Sequence, residues 1–181
     1  MHQDRTRQEN GGLRLAKDSS FDVVSEPDWS EVLNAIDQTR REAGTRYDFR
    51  GQDIEIDYDQ AKHVITLDAP EGLVMESLRT VLGEKMARRQ VSLKFLEYGD
   101  VESHGMARAR VRITIKSGIE TDVAKKIQKA IRGLGVKVEP QIQGDALRVS
   151  GKNRDDLQGV IQFLKTQDFG IELAFTNFRT S

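Results

Sequence analysis

The sequence predicts an α+β protein made of two tandem ferredoxin-like domains, each an antiparallel sheet with helices on one face. Two observations lead to this prediction. The order strand–helix–strand–strand–helix–strand occurs twice along the 181 residues. Within each pass, segments that alternate polar and apolar residues are separated by segments with apolar residues at helical spacing. A repeated βαββαβ pattern of this length is typical of two small sheets, each packed against its own helix pair.

The first pass begins with a strand over Phe21–Ser25. Asp28, with Glu31 three residues later, is expected to cap a helix that Gly44 ends. Two alternating strands follow, "DIEIDYD" and "HVITLDA", joined by a polar turn. A helix over roughly 71–89 and the strand "VSLKFLEY" complete this pass.

The second pass begins with a long alternating strand over Gly105–Lys116. Ser117 and Glu120 have the spacing of a capping box for the next helix. The strands "VKVEPQI" and "ALRVSG" are expected to turn at Gly144, and Asn153 to cap the second helix. The segment "IELAF" is predicted to be the last strand.

Two features do not fit a simple tandem arrangement. "TRYDFRG" (Thr45–Gly51) is an extra candidate strand in the first pass, and Gly105–Lys116 is longer than one small sheet requires. Both suggest that strands are exchanged between the two sheets. The predicted domains are residues 20–100 and 101–181, with strands shared across that boundary, after a disordered tail or non-native extension over residues 1–19.

Composition narrows the class of protein. The chain has no cysteine, which excludes disulfides, thiol nucleophiles and zinc-finger sites, and 31% of its residues are charged. It has no apolar run long enough to span a membrane and no secretion signal, so we expect a cytoplasmic protein without membrane contact. Its three histidines lack metal-ligand spacing, and no nucleophile motif is present. We therefore predict no enzyme, no catalytic residues, no metal and no cofactor.

Charge is unevenly distributed along the chain. Residues 21–100 contain 10 basic and 17 acidic side chains, whereas residues 101–181 contain 14 basic and 9 acidic ones. An anionic ligand would therefore be held mainly by the second half. The alternative is that the two halves attract each other.

Two loops of the second half are suited to binding phosphate. "KSGIE" and "SGKNRDD" each place a glycine and cations before a predicted helix N-terminus, whose free N–H groups favour anions. The matching first-half loops, "SEPDW" and "DAPEG", contain no lysine or arginine. In a ferredoxin-like unit the loops that lead into both helices emerge at the same end of the sheet, so we expect these two loops to form one site. Its predicted nucleotide-binding residues are Lys116, Ser117, Gly118, Lys152, Asn153 and Arg154. The alternative is that both loops are ordinary capped turns with solvated lysines.

A second cationic feature is the arginine ladder, Arg108, Arg110 and Arg112, on one face of the long strand. It could contact an RNA backbone, although it lacks the aromatic residues on which bases stack. It could instead pair with the acidic ladder Asp53, Glu55 and Asp57 as a structural contact between the two halves.

Several long motifs resemble the bacterial YajQ family. They are "SFDVVSE", "TRYDFRG", "GIETDVAKKIQK", "QIQGDALRVSGKNRDDLQGVIQFLK" and "NFR", in this order from about Ser20 to the C-terminus. The resemblance implies two ferredoxin-like domains that bind a nucleotide without transforming it. It points to cyclic di-GMP or GTP as ligand, with RNA as an alternative.

Together these observations predict a nucleotide receptor that acts through a protein or a DNA-bound regulator. In the phosphate site, Tyr47 or Phe49 would stack on a base, flanked by Arg46 and Arg50. The alternative for this stretch is structural: Tyr47 and Phe49 would pack inward, while Arg46 and Asp48 would tie the sheets together.

Overall fold

The computed structural model describes residues 18–180. Residues 1–17 of the predicted tail therefore lie outside the described residues. Ser19, which was predicted to belong to the tail, is part of the first strand. In chain order the elements are β1 (Ser19–Val24), α1 (Trp29–Thr45), β2 (Glu55–Asp59), β3 (Val64–Pro70), α2 (Leu73–Arg88), β4 (Leu96–Tyr98), β5 (Glu102–His104), β6 (Arg108–Ile115), α3 (Thr121–Arg132), β7 (Val138–Gln143), β8 (Ala146–Gly151), α4 (Arg154–Thr166) and β9 (Ala174–Arg179).

The strands form two antiparallel sheets. The first sheet has the order β2-β3-β6-β4, with β5 also paired to β6, and the second has the order β7-β8-β1-β9. Side chains of α1 and α2 share one apolar core with the first sheet, and those of α3 and α4 share another with the second. The predicted fold class of two ferredoxin-like units is confirmed.

The first strand of each unit is exchanged. β1 precedes α1 in the chain but pairs with β8 and β9 in the second sheet. β6 precedes α3 but pairs along seven residues with β3 in the first sheet. The exchange that the sequence suggested is therefore confirmed, and the linkers after β1 and β6 cross between the two units.

Local sequence explains most of these elements. Asp28 caps α1 by accepting from the N–H groups of Ser30 and Glu31, and Asn153 caps α4 by accepting from Asp155. On β6 the alternate residues Ala109, Val111, Ile113 and Ile115 are buried in the first core. The remaining side chains of β6, including the arginine ladder, face outward, as the period of two requires.

The stretch "TRYDFRG" is not a strand, so this prediction was wrong. Thr45 ends α1, and Tyr47–Phe49 form a single 3₁₀ turn. Only Phe49 is buried, at 3% exposure, whereas Tyr47 is 83% exposed. The burial of Phe49 alone is enough to hold the turn against the core. The alternation of residue types in Thr45–Gly51 covers too few residues to define a strand.

Other predicted boundaries also differ. The last strand begins at Ala174, three residues later than predicted, because Ile171 and Leu173 pack on the second core before the strand starts. The segment "VSLKFLEY" forms a 3₁₀ turn before the short strand β4. The long strand begins only at Arg108 because Gly105–Ala107 form the tight turn between β5 and β6, with positive φ at Met106 and Ala107.

Candidate functional site

The two loops predicted to bind phosphate lie at opposite ends of the second sheet. Ser19, at the start of β1, pairs with Gly151, at the end of β8, immediately before the "KNR" segment. At the other end, Ile119 donates its N–H to the carbonyl of Asp145, the residue immediately before β8. The predicted convergence of Lys116 with Lys152 and Arg154 is wrong because Lys116 follows β6, a strand of the first sheet, and its linker reaches the second sheet at the start of β8, whereas Lys152 and Arg154 follow the end of β8. Six residues of strand separate the two ends, about 20 Å.

One candidate pocket lies where α4 begins, and we call it the Phe178 pocket. It has a volume of about 290 Å³. Strands β1 and β9 and the first two turns of α4 surround it. Its lining residues are Ser19, Ser20, Phe21, Arg154, Leu157, Gln158, Ile161, Phe178, Arg179 and Thr180.

A β-bulge positions Phe178 in this pocket. The pairing of β1 with β9 shifts register between Ser20 and Asp22, and Asn177 has a positive φ of 55°. The Asn177 side-chain amide donates to Asp22 Oδ2 at 2.7 Å, which holds the bulge. Phe178 therefore stacks on the buried ring of Phe21, with ring centroids 6.1 Å apart. Because Phe178 is 59% exposed, the rest of its surface is available to a ligand.

The Phe178 pocket is cationic. Arg154 and Arg179 line it, and no aspartate or glutamate is among its lining residues. Neither arginine forms a salt bridge with another residue of the described chain. The carboxylate of Asp22, on β1, is bound by Arg148 instead, at 2.9 Å. The hydrogen bond from Arg148 lowers the pKa of Asp22, and the charge of Arg179 adds to this effect. An arginine fork without a carboxylate partner is suited to bind a phosphate.

A second candidate pocket, the crossover cleft, lies where the linkers after β1 and β6 pass each other. It contains the predicted residues Lys116, Ser117 and Gly118 and has a volume of about 350 Å³. Its other lining residues come from both units and the β1 linker: Ser25, Lys94, Phe95, Leu96, Glu97, Glu120, Val123, Gly170 and Ile171.

Both lysines of the crossover cleft have carboxylate partners. Lys116 contacts Glu97 at 2.6 Å, and Lys94 contacts Asp168 at 3.6 Å. The predicted capping box at the start of α3 does not form. Glu120 is the N-cap residue itself and makes no side-chain cap bond, because the helix begins three residues later than the pattern indicated.

The remaining predicted site residues line neither pocket. Asn153 uses its side chain to cap α4, and Lys152 is exposed beside it. Arg46 donates to Asp48 at 2.7 Å, so this pair is a local contact and does not tie the sheets. Arg50 lies over the ring of Tyr47, 5.6 Å from its centroid. Tyr47 packing inward is therefore wrong, whereas Phe49 does pack into the first core.

The arginine ladder is paired with carboxylates of the first sheet and its edge. Arg108 contacts Asp68 at 2.6 Å and Asp53 at 3.2 Å, Arg110 contacts Asp68 at 3.0 Å, and Arg112 contacts Glu102 at 2.9 Å. Of the predicted acidic partners, only Asp53 is used. The central partner, Asp68, was not predicted, although its position on β3 opposite Arg110 places it on the ladder's face.

Asp68 is the most densely paired carboxylate of the described chain. Burial by itself raises the pKa of Asp68, but hydrogen bonds from Arg108 and Arg110 outweigh it and hold the pKa below its usual value. His104 adds a third contact, with Nε2 2.8 Å from Oδ2. Arg108 and Arg110 therefore serve a structural role, because their charged groups are bound to Asp68.

Within residues 18–180, no group of three or more histidine, aspartate or glutamate side chains is placed to hold a metal ion. None of the helices in this range is long and apolar enough to cross a membrane. The fold and the Phe178 pocket define a class: paired ferredoxin-like units with a pocket that combines two arginines and an exposed aromatic ring.

Comparisons with known proteins identify the family. The model of the family described as nucleotide-binding protein YajQ-like matches residues 19–179, and the chain belongs to this family. A nucleotide-binding protein of Thermosynechococcus vestitus is 45% identical, over 91% of this chain and 100% of the relative. A protein of Stenotrophomonas maltophilia named cyclic di-GMP-binding protein is 47% identical, over 88% of this chain and 98% of the relative. The family is named for nucleotide binding and not for an enzymatic activity.

Proposed function

We propose that this protein is a non-enzymatic receptor for a guanine nucleotide, with cyclic di-GMP as the leading ligand, and that the ligand binds in the Phe178 pocket. The observation that carries the proposal is an exposed aromatic ring beside two arginines, with no carboxylate among the lining residues. A nucleotide needs a surface for its base and cations for its phosphate. The Phe178 pocket offers both, and no carboxylate is among its lining residues.

Each group has a definite role in this proposal. A base stacks on the outer surface of Phe178, which Phe21 supports from beneath. Arg154 and Arg179 bind phosphate oxygens, and the first turn of α4 adds its dipole. The amide of Gln158 is placed to read a base edge. A binding event of this kind needs no reacting group, and the receptor would pass its signal to a protein or a DNA-bound regulator.

Two findings support the proposal beyond the geometry. Three of the motifs that resemble the family, "SFDVVSE", the segment containing "SGKNRDD" and "NFR", contribute residues to this one pocket. The name of the Stenotrophomonas relative supports cyclic di-GMP as the nucleotide.

Isothermal titration calorimetry with cyclic di-GMP, GTP and GMP tests the proposal. Phe178→Ala is expected to weaken binding about tenfold or more, since stacking on an aromatic ring contributes about 1–3 kcal/mol per base. Phe178→Trp keeps a stacking surface and is expected to retain binding. Tyr47→Ala removes an aromatic that is even more exposed and lies outside the pocket, and it is the matched control. Absence of saturable binding to every guanine nucleotide, or unchanged affinity in Phe178→Ala, contradicts the proposal.

RNA binding through the arginine ladder is the alternative. It predicts an affinity that falls steeply with salt concentration. The observed pairing of all three ladder arginines with carboxylates favours the nucleotide proposal, because RNA would have to displace those carboxylates.

A further inference from the structure

The crossover cleft has features of a ligand site that the proposed nucleotide pocket does not use. Its floor is the point where the two linkers touch, through a hydrogen bond from Gly118 N–H to the Ser25 carbonyl at 2.6 Å. Gly118 adopts a positive φ of 82°, and a Cβ there would lie 2.7 Å from Asp145 Oδ2. Glycine is therefore required at this crossing, and the backbone of Ser117 and Gly118 lies directly against the cleft.

Hydrogen-bond donors from three elements converge on the cleft. Lys94 comes from the turn before β4 in the first unit, and Lys116 follows β6. The first turn of α3, in the second unit, has no side-chain cap, so its N–H groups remain to bind an acceptor.

Ser25 provides an independent indication of a ligand. The residue is only 4% exposed and lines the cleft, and its side chain makes no hydrogen bond to another described residue. No side-chain oxygen or nitrogen of the described chain is both fully enclosed and unpaired. Ser25 lines the cleft, so a partner for its hydroxyl can reach it from there. A buried hydroxyl is normally satisfied, and here the cleft is the place from which a partner can come.

The carboxylates that now hold the lysines are easily replaced. The Lys116 and Glu97 side chains are both more than half exposed, and Asp168 is more exposed still. Exposed ion pairs of this kind contribute little to stability. A ligand with two negative charges, in contact with both lysines and the helix N-terminus, would gain more than either carboxylate does.

We propose that the crossover cleft is a second anion site, distinct from the Phe178 pocket, and that it binds a phosphate group. The phosphate would be either free orthophosphate or pyrophosphate, or the terminal phosphate of a nucleotide. It would contact Lys94 of the first unit and α3 of the second, and so join the two units at their crossing. The inference does not depend on the proposed function, because the two pockets share no residue.

Nuclear magnetic resonance titration of the full chain carrying Phe178→Ala tests this inference with base stacking in the Phe178 pocket removed. The backbone amide signals of Ser117, Gly118 and Gly170 are followed on addition of orthophosphate, pyrophosphate or GMP, with sodium chloride at matched ionic strength. Saturable shifts of these signals with at least one phosphate compound, but not with chloride, are expected. Shifts with GMP alone identify a nucleotide as the source of the phosphate, whereas shifts with orthophosphate identify the free ion.

Variants assign the contacts. Lys116→Gln and Lys94→Gln are each expected to weaken phosphate binding about tenfold, since each removes a charged hydrogen bond. Glu97→Gln removes the competing carboxylate and is expected to strengthen it. Lys129→Gln, on the exposed face of α3, is the matched control and should leave the affinity unchanged. Identical shifts with phosphate and chloride, or full affinity in both Lys116→Gln and Lys94→Gln, would overturn the inference.

Discussion

The outward faces of the two sheets are built around the same kind of contact in unequal amounts. On the first sheet, Asp68 of β3 binds two arginines of β6 and a histidine. On the second sheet, Asp22 of β1 binds one arginine, Arg148 of β8, and the Asn177 amide. The Asp68 side chain is 6% exposed and that of Asp22 is 17% exposed. The outward face of the first sheet is therefore joined by a cluster of several charged side chains, whereas that of the second sheet is joined by a single ion pair.

This difference explains the charge asymmetry of the sequence. In both clusters the carboxylate belongs to the acidic first half of the chain and the arginine to the basic second half. Strand exchange makes this arrangement possible, because each sheet contains one strand from the other half of the chain. The expected attraction between the two halves of the chain is therefore found within the sheets, where strands of both halves pair. Arg154 and Arg179, which line the Phe178 pocket, are among the second-half cations that form no salt bridge with a described residue.

The largest expected effect is on stability, in a comparison of Asp68→Asn with Asp22→Asn. Asp68→Asn leaves two arginines without their shared carboxylate in a mostly buried position, and we expect a loss of about 2 kcal/mol in the free energy of unfolding. Asp22→Asn leaves one arginine in a more exposed position, and we expect about 1 kcal/mol. Urea denaturation followed by circular dichroism measures both.

Glu55→Gln is a suitable control for this comparison, because Glu55 is an exposed carboxylate of the same sheet without a salt bridge to a described residue. Its removal should change stability by less than about 0.5 kcal/mol. Equal losses in Asp68→Asn and Asp22→Asn would mean that the second arginine and the histidine add nothing to the first cluster.

Acid should lower the free energy of unfolding by protonating the same two carboxylates, Asp68 and Asp22. The pKa values of Asp68 and Asp22 are both lowered in the folded protein, so the unfolded chain binds protons first as the pH falls. Their contribution to stability is complete above the unfolded pKa, about 4, and is lost as the pH falls through the folded pKa values. Urea midpoints measured from pH 7 to pH 3 should fall below pH 4.

The two asparagine variants separate the clusters in this titration. Below pH 4 the urea midpoint should fall less steeply with pH in Asp68→Asn than in the unchanged protein. Asp22→Asn should show an intermediate slope. A decline of the same steepness in all three proteins would assign acid sensitivity to other carboxylates, such as Glu42, whose pKa is lowered chiefly by a hydrogen bond from Lys85.

Much of the fold could be predicted from sequence because local signals agree with tertiary packing. The cap at Asn153, the apolar alternation of β6 and the repeated element order each led to a correct element. The excess length of Gly105–Lys116 predicted strand exchange for a partly wrong reason, since three of those residues form a turn. The exchange itself is a long-range pairing, and local periodicity contains no record of which sheet a strand joins.

The candidate sites were harder to predict for the same reason. Lys116 and Arg154 have similar local surroundings, and only long-range contacts, such as those of Gly118 with Ser25 and of Ile119 with Asp145, show that they lie in different pockets. Phe178 was recognised as part of a family motif but not as a stacking residue. Its orientation depends on a bulge whose signal, positive φ at Asn177, is visible only in the structure.

The smallest effect is expected at the exposed end of the arginine ladder. Arg112 pairs only with Glu102, and both side chains are more than half exposed. Arg112→Gln should therefore change the free energy of unfolding by less than about 0.5 kcal/mol and leave guanine-nucleotide affinity unchanged. Because Arg112 is also the ladder cation that RNA could reach most easily, an electrophoretic mobility assay with single-stranded RNA belongs in the same experiment. A clear loss of RNA binding in Arg112→Gln, with nucleotide affinity intact, would show that the first sheet's outward face binds a ligand as well as joining the two halves.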